Sequence, residues 1–133
     1  MIVVDTNIIA YLALPGPYTL HAERLLKDDP AWAAPFLWRS EFCNVLLLYL
    51  RKKQISLSAA LAMQEEMQAL MRGREFDIPP KEVLQLAHAS TCSAYDCEFV
   101  VLSRMLGVPL ITMDRRLVSC FPDDCLLLTD RVA

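Results

Sequence analysis

Two short apolar runs that each stop on an aspartate constrain this chain more than any other feature: Ile2-Val3-Val4-Asp5 near its start and Leu110-Ile111-Thr112-Met113-Asp114 towards its end. Runs of this kind, without polar alternation, read as strands buried on both faces. Between and after them, weaker strand signals at Ala31–Ala34, Phe76–Ile78 and Cys125–Thr129 alternate with helical patterns. Helices are expected over Thr6–Leu14, from a Thr19 cap to Lys27, from Phe36 to Lys53 with Pro35 in the first turn, and over Ser58–Met71. Further helices are expected from Pro79-Pro80 to Ala89, over Ser93–Leu106 with Gly107 as its stop, and over Asp114–Cys120. Strands alternating with helices predict a parallel sheet covered on both sides, an α/β/α sandwich. Such sheets carry their chemistry outside the carboxyl ends of the strands, where the strand order reverses.

The length of 133 residues fits one domain, 1-133. A hydrophobic fraction of 55% against 22% charged residues excludes a disordered chain and permits a sizeable core. Only 3 glycines argue against a glycine-rich phosphate loop. The longest apolar runs, such as Val45–Leu50, fall far short of the ~20 residues that span a membrane, and Asp5 interrupts any apolar leader. A soluble cytoplasmic protein is expected. The net charge of −3 argues against a non-specific nucleic-acid binder. The five cysteines contain no close pair and no histidine at ligand spacing, so buried reduced thiols are expected. No histidine adjoins a nucleophile: His21 reads as surface and His88 as helix packing.

If the first strand and the one ending at Thr112 are neighbours, Asp5 and Asp114 face one crevice. Asp96, in the first turn of its helix, can lean over it, and Glu41 stands beside Asn44 on the long helix. Each acid has a second reading. Asp5 and Asp114 can cap the helices they precede, Asp96 completes a Ser93 capping box, and Glu41 can be a solvated acid at a helix start. Converging carboxylates repel one another and desolvate, which calls for hard cations with oxygen ligands, Mg²⁺ or Mn²⁺.

Four segments taken in order resemble the PIN-domain nucleases: Val-Val-Asp5-Thr6-Asn7-Ile, Arg39-Ser40-Glu41-Phe-Cys-Asn44-Val-Leu, Tyr95-Asp96-Cys-Glu-Phe-Val-Val-Leu and Leu-Ile-Thr112-Met-Asp114-Arg115-Arg116-Leu. The resemblance spans the chain and is strongest to the VapC-type toxins of toxin–antitoxin pairs. The chain departs from the family in its scarcity of glycine around Pro15-Gly16-Pro17. The resemblance implies strand order 3-2-1-4-5, an acidic quartet of Asp5, Glu41, Asp96 and Asp114, and a Thr112 hydroxyl lining the pocket. It further implies metal-dependent endonucleolytic cleavage of single-stranded or loop regions of RNA, with Asp5, Asp96 and Asp114 as metal ligands and Glu41 as a ligand or water-orienting group. Two divalent ions would carry the chain from a small net negative charge to a small positive one, and Arg115 and Arg116 are candidate phosphate contacts.

The apolar run Val45–Leu50 and the stripe of Met63, Met67, Leu70 and Met71 fit either plain core or a groove for a partner helix. The resemblance favours the groove, with a small antitoxin as partner, and the surplus apolar surface of the helices at 36–53 and 58–71 predicts a homodimer. The alternative function is a PIN-like RNA-binding or scaffold module without cleavage. A haloacid-dehalogenase-type phosphatase would want a second Asp where Asn7 stands. A receiver-like domain would want a lysine after the last strand, and none follows Lys81.

Overall fold

The computed structural model describes residues 1–132; Ala133, the last residue of the expected domain, lies outside the described residues. Five parallel strands form the frame: β1 (Ile2–Val4), β2 (Trp32–Pro35), β3 (Glu75–Phe76), β4 (Leu110–Thr112) and β5 (Cys125–Leu127). Their order is β3-β2-β1-β4-β5, as the family resemblance implies. β1 pairs with β2 through Ile2 and Trp32, and with β4 through Val3 and Leu110. Every residue of β1, β2 and β4 is buried, because helices cover both faces.

The helices are α1 (Thr6–Ala13), α2 (Thr19–Asp28), α3 (Trp38–Arg51), α4 (Leu57–Met71), α5 (Pro80–His88), α6 (Ala94–Leu106), α7 (Arg115–Cys120) and α8 (Leu128–Arg131). α6 lies across β1, β2 and β4, whereas α1 packs with α2, α3 and α4. Gly107 ends α6 at φ 65°, a left-handed conformation that a side chain would strain.

Several boundaries differ from expectation, each for a local reason. Pro35 closes β2 instead of opening α3; the neighbouring N–H groups of Ala34 and Phe36 make the bonds to Arg74 and Phe76, so the ladder loses nothing at the proline. Thr19 does not cap α2. It is the first helical residue, and its hydroxyl is bonded to the turn before it. Oγ1 accepts from the Gly16 N–H at 3.0 Å and lies 2.8 Å from the Tyr11 carbonyl, which ties Pro15-Gly16-Pro17 to the end of α1. Ser56 is the cap of α4, accepting from the Ala59 N–H at 3.1 Å. The strand expected to reach Thr129 stops at Leu127, where the one-turn α8 begins and buries Leu128. Cys92, Cys97 and Cys125 are buried free thiols, but Cys43 is exposed. His88 is exposed, and His21 is half-buried against Tyr18, so their expected settings are reversed. Among the described residues, no helix is long and apolar enough to cross a membrane.

The two apolar stripes divide between the two readings open to them. Met67 and Met71 are buried, and Met63 and Leu70 pack against the core. Leu48, Leu57 and Leu61 remain exposed, and Leu47, Leu50, Leu57 and Leu61 line a groove between α3 and α4 of about 360 Å³. Met67 is 4% exposed and Leu48 is 51% exposed. Met67→Glu is therefore expected to cost more than ~4 kcal/mol through an unpaired buried charge, whereas Leu48→Glu should stay within about 0.5 kcal/mol. Urea denaturation of both variants checks this.

Candidate active site

β1 and β4 lie side by side and both run into helices at the same end of the sheet, so Asp5 and Asp114 stand at adjacent strand ends. Asp5 caps α1, with Oδ1 accepting from the Thr6 N–H at 2.8 Å. Its other oxygen, Oδ2, accepts from Thr112 Oγ1 at 2.7 Å. The same Thr112 oxygen accepts from the Asp114 N–H at 3.0 Å. Asp114 in turn caps α7, accepting from the N–H groups of Arg116 and Leu117 at 3.0 and 3.3 Å. Glu41 enters from the first turn of α3, held by the Thr6 hydroxyl, which donates to Oε1 at 2.7 Å. Asp96 enters from the first turn of α6, where Ser93 Oγ accepts from its N–H at 3.1 Å.

All four acids line one cavity of about 510 Å³, together with Asn7, Tyr11, Asn44 and Tyr49. Each stands at the N-terminal end of a helix, where the unpaired N–H groups and the helix dipole favour negative charge. That offset is incomplete. Burial pushes the Asp5 carboxyl up to about 6, and the charges of Glu41 and Asp96 add to it against the hydrogen bonds from Thr112 and Thr6. Burial and the charge of Asp96 raise Glu41, and burial and the charge of Asp114 raise Asp96. The pocket thus presents mutually repelling oxygen donors, the chemistry that suits a hard divalent cation. Asn7 also lines the cavity, and its Oδ1 is buried without a hydrogen-bond partner. Among the described residues, no three His, Cys, Asp or Glu side chains stand close enough to enclose an ion by themselves.

The remaining expected contacts fall elsewhere. Thr112 is fully buried and spends its hydroxyl between Asp5 and Asp114, so it steadies the acids rather than lining the cavity. Arg115 and Arg116 are exposed and are not among the lining residues. Arg116 Nη2 donates to the Thr91 carbonyl, and its charge lowers Asp96. Arg39 is committed to Glu75 through two bonds of 2.6 and 2.7 Å.

Thr6, Asn7, Tyr11 and Tyr49 were missed by sequence reasoning. The signal was there: Asn7, Ala10, Tyr11 and Leu14 recur at the spacing of one helix face, and so do Glu41, Asn44, Val45 and Tyr49. Glu98 was also missed; burial and the charge of Glu41 raise its carboxyl.

The PIN domain profile matches residues 2–119. Ribonuclease VapC3 of Pyrobaculum aerophilum is 27% identical over 124 residues, covering 91% of this chain and 95% of that protein. The crystal structure of PAE2754 from Pyrobaculum aerophilum superposes with a TM-score of 0.76 at 21% identity, over 97% of this chain and 91% of that one. A toxin–antitoxin complex from Klebsiella pneumoniae gives 0.70 at 14% identity, over 96% of this chain and 98% of that one. FitAcB from Neisseria gonorrhoeae gives 0.67 at 20% identity, over 96% of each chain. These structural likenesses are likenesses of fold.

Two expectations follow from the hydrogen bonds and charges. Thr112→Val strips one donor from Asp5 and leaves the Asp114 N–H unpaired, so it should cost about 2–3 kcal/mol and raise Asp5 further. Thr112→Ser should restore most of both, as read by denaturation and by carboxyl titration in NMR. For Asp5 the folded value lies above the ordinary 3.8, so its stabilising contribution is complete below about pH 4 and is lost as pH rises through about 6. Asp5→Asn keeps a good cap and removes that loss. In EDTA it should gain ~1–2 kcal/mol over the native protein at pH 8 and nothing at pH 4, by paired melts across the range.

Proposed function

This chain belongs to the PIN domain family, and from that premise we propose that it is a Mg²⁺- or Mn²⁺-dependent endoribonuclease, the toxin of a toxin–antitoxin pair, acting in the cytoplasm as one domain. The observation that carries the reading is the quartet itself: four carboxylates from four separate segments line one cavity, three of them driven towards protonation by burial and by each other. Structural cost of that kind marks a functional site when the acids sit at strand ends beside a cleft. Similarity to a protein named as a ribonuclease supports RNA as the substrate. The fold shared with chains solved in toxin–antitoxin complexes supports the pairing with an antitoxin.

Asp5, Asp96 and Asp114 would hold the cation, with Glu41 as a further ligand or as the group that orients the attacking water. A bound Mg²⁺ or Mn²⁺ supplies charge to the attacked phosphate and acidity to a water. The residues of the chain do the remaining work. Thr112 and the Thr6 N–H fix both oxygens of Asp5, leaving each with a lone pair turned to the cavity chemistry. Thr6 Oγ1 fixes one oxygen of Glu41, and its raised affinity for a proton suits it to accept one from water. Arg115, exposed at the start of α7, is positioned for the RNA backbone, and Arg116 shares that role with the nitrogens it does not spend on Thr91. The apolar groove between α3 and α4 offers the antitoxin a seat within reach of the Glu41 helix, and the exposed Leu48, Leu57 and Leu61 suit pairing with the antitoxin or with a second copy of the chain.

The purified protein should cleave RNA in Mg²⁺ or Mn²⁺ and stop in EDTA. Asp96→Asn should lower the rate by about 10²-fold or more while the fold persists. Gel analysis of an RNA panel beside thermal melts reads both. Equal cleavage in EDTA overturns the metal mechanism. A folded, metal-loaded protein that cleaves none of the panel overturns the nuclease reading in favour of a binding or scaffold module.

A further inference from the structure

The acids occupy only part of the cavity. It is also lined by Tyr11 and Leu14 of α1 and its end, by the Pro15-Gly16-Pro17 turn, and by Val45 and Tyr49 of α3. A cation and a phosphate need no apolar wall of that extent. The volume of about 510 Å³ falls in the range of sites that enclose a small organic group. We propose that this wall is a shelf on which one base of single-stranded RNA, next to the cleaved phosphate, stacks against Tyr11 and Tyr49. It rests on the ribonuclease reading and adds to it the contact that selects and aligns the strand.

Three further observations support the shelf. First, the basic side chains lie outside the cavity: neither Arg115 nor Arg116 lines it. When phosphate contacts are sparse, stacking on aromatic faces is the remaining strong contact with single strands. A base still stacked in a duplex cannot reach such a surface, which agrees with the unpaired RNA that the family resemblance implies. Second, the wall is built in advance. Thr19 Oγ1 bonds to the Gly16 N–H and to the carbonyl of Tyr11, and the rings of Tyr11 and Tyr18 lie 5.2 Å apart, with His21 stacked edgewise behind Tyr18 at 5.8 Å. A ring held this way loses little freedom on binding. Third, polar groups remain for the edge of a base. Asn7 and Asn44 both line the same cavity, and a side-chain amide offers a donor and an acceptor to an exocyclic group or a ribose hydroxyl. Tyr11 is shared between the two halves: burial and its neighbours Tyr18, Asp5 and Tyr49 all raise its hydroxyl, which stays protonated beside the acids.

The test begins with the native protein and a short single-stranded RNA that it cleaves at one position, compared with the same strand made abasic at each nucleotide flanking that position. One abasic position should raise KM by about 10- to 100-fold with kcat little changed. Tyr11→Ala and Tyr49→Ala should raise KM for the normal strand to a similar degree and add little on the abasic one, and Tyr11→Phe, which keeps the ring, should raise it less than Tyr11→Ala. Equal KM for abasic and normal strands overturns the shelf, as do folded alanine variants with native KM. Should an alanine variant fail to fold, the abasic series on the native protein decides by itself. Absence of cleavage on every strand overturns the ribonuclease reading, and the shelf with it.

Discussion

One hydroxyl holds the site together. Thr112 Oγ1 donates to Asp5 and accepts from the Asp114 N–H, so a single buried oxygen binds the carboxyl ends of β1 and β4, 107 residues apart in sequence for its contact with Asp5. The strands it joins are three residues long, and the hydroxyl stands beside the last bond of their ladder, from the Asp5 N–H to the Ile111 carbonyl at 2.9 Å. Both are fully buried, which makes an unpaired polar group there expensive and gives this arrangement its uniqueness. Everything else in the cavity is referred to that point. Asp5 opens α1, Thr6 at its first turn reaches Glu41, and Asp114 opens α7.

Capping and chemistry share the same atoms. Asp5 and Asp114 satisfy helix N–H groups and also line the cavity, so neither role displaces the other. The four helix starts act as fixed partial positive charges, which is how a protein without a cation tolerates acids this crowded. The tolerance is partial, because Asp5, Glu41 and Asp96 still sit above their ordinary range. A protein of this design is less stable than its core alone would make it, and the deficit lies in the acids proposed to carry its activity.

The strands, most helices and all four acids were legible because they depend on local signals: apolar runs, Gly107 as a stop, and carboxylates at element boundaries. Strand order was not local; it came from the likeness of the four motifs to a family, and pairing registers confirm it. Thr112 was read as a pocket hydroxyl because sequence gives its strand but not which face of a buried strand is spent on a hydrogen bond. The methionine stripe of α4 mostly joined the core, whereas the leucines of α3 and α4 left a groove; periodicity names a face without saying what covers it. Pro35 and α8 were missed because a proline suits both a strand end and a helix start, and because one turn of helix leaves too few residues for a period.

The long separation between Asp5 and its partners has a consequence in time. β1 is the middle strand of the sheet, yet its β4 neighbour is synthesised long after it, with Thr112 107 residues beyond Asp5. At ~5–20 residues per second, the first acid waits several seconds for the strand that orients it. Until then Asp5 has neither the Thr112 hydroxyl nor the Asp114 carboxylate beside it, and contacts this distant in sequence are the slow ones to close. The cavity is therefore assembled only once β4 and Asp114 have left the ribosome, and a copy interrupted before them carries the first acid of the site without the site.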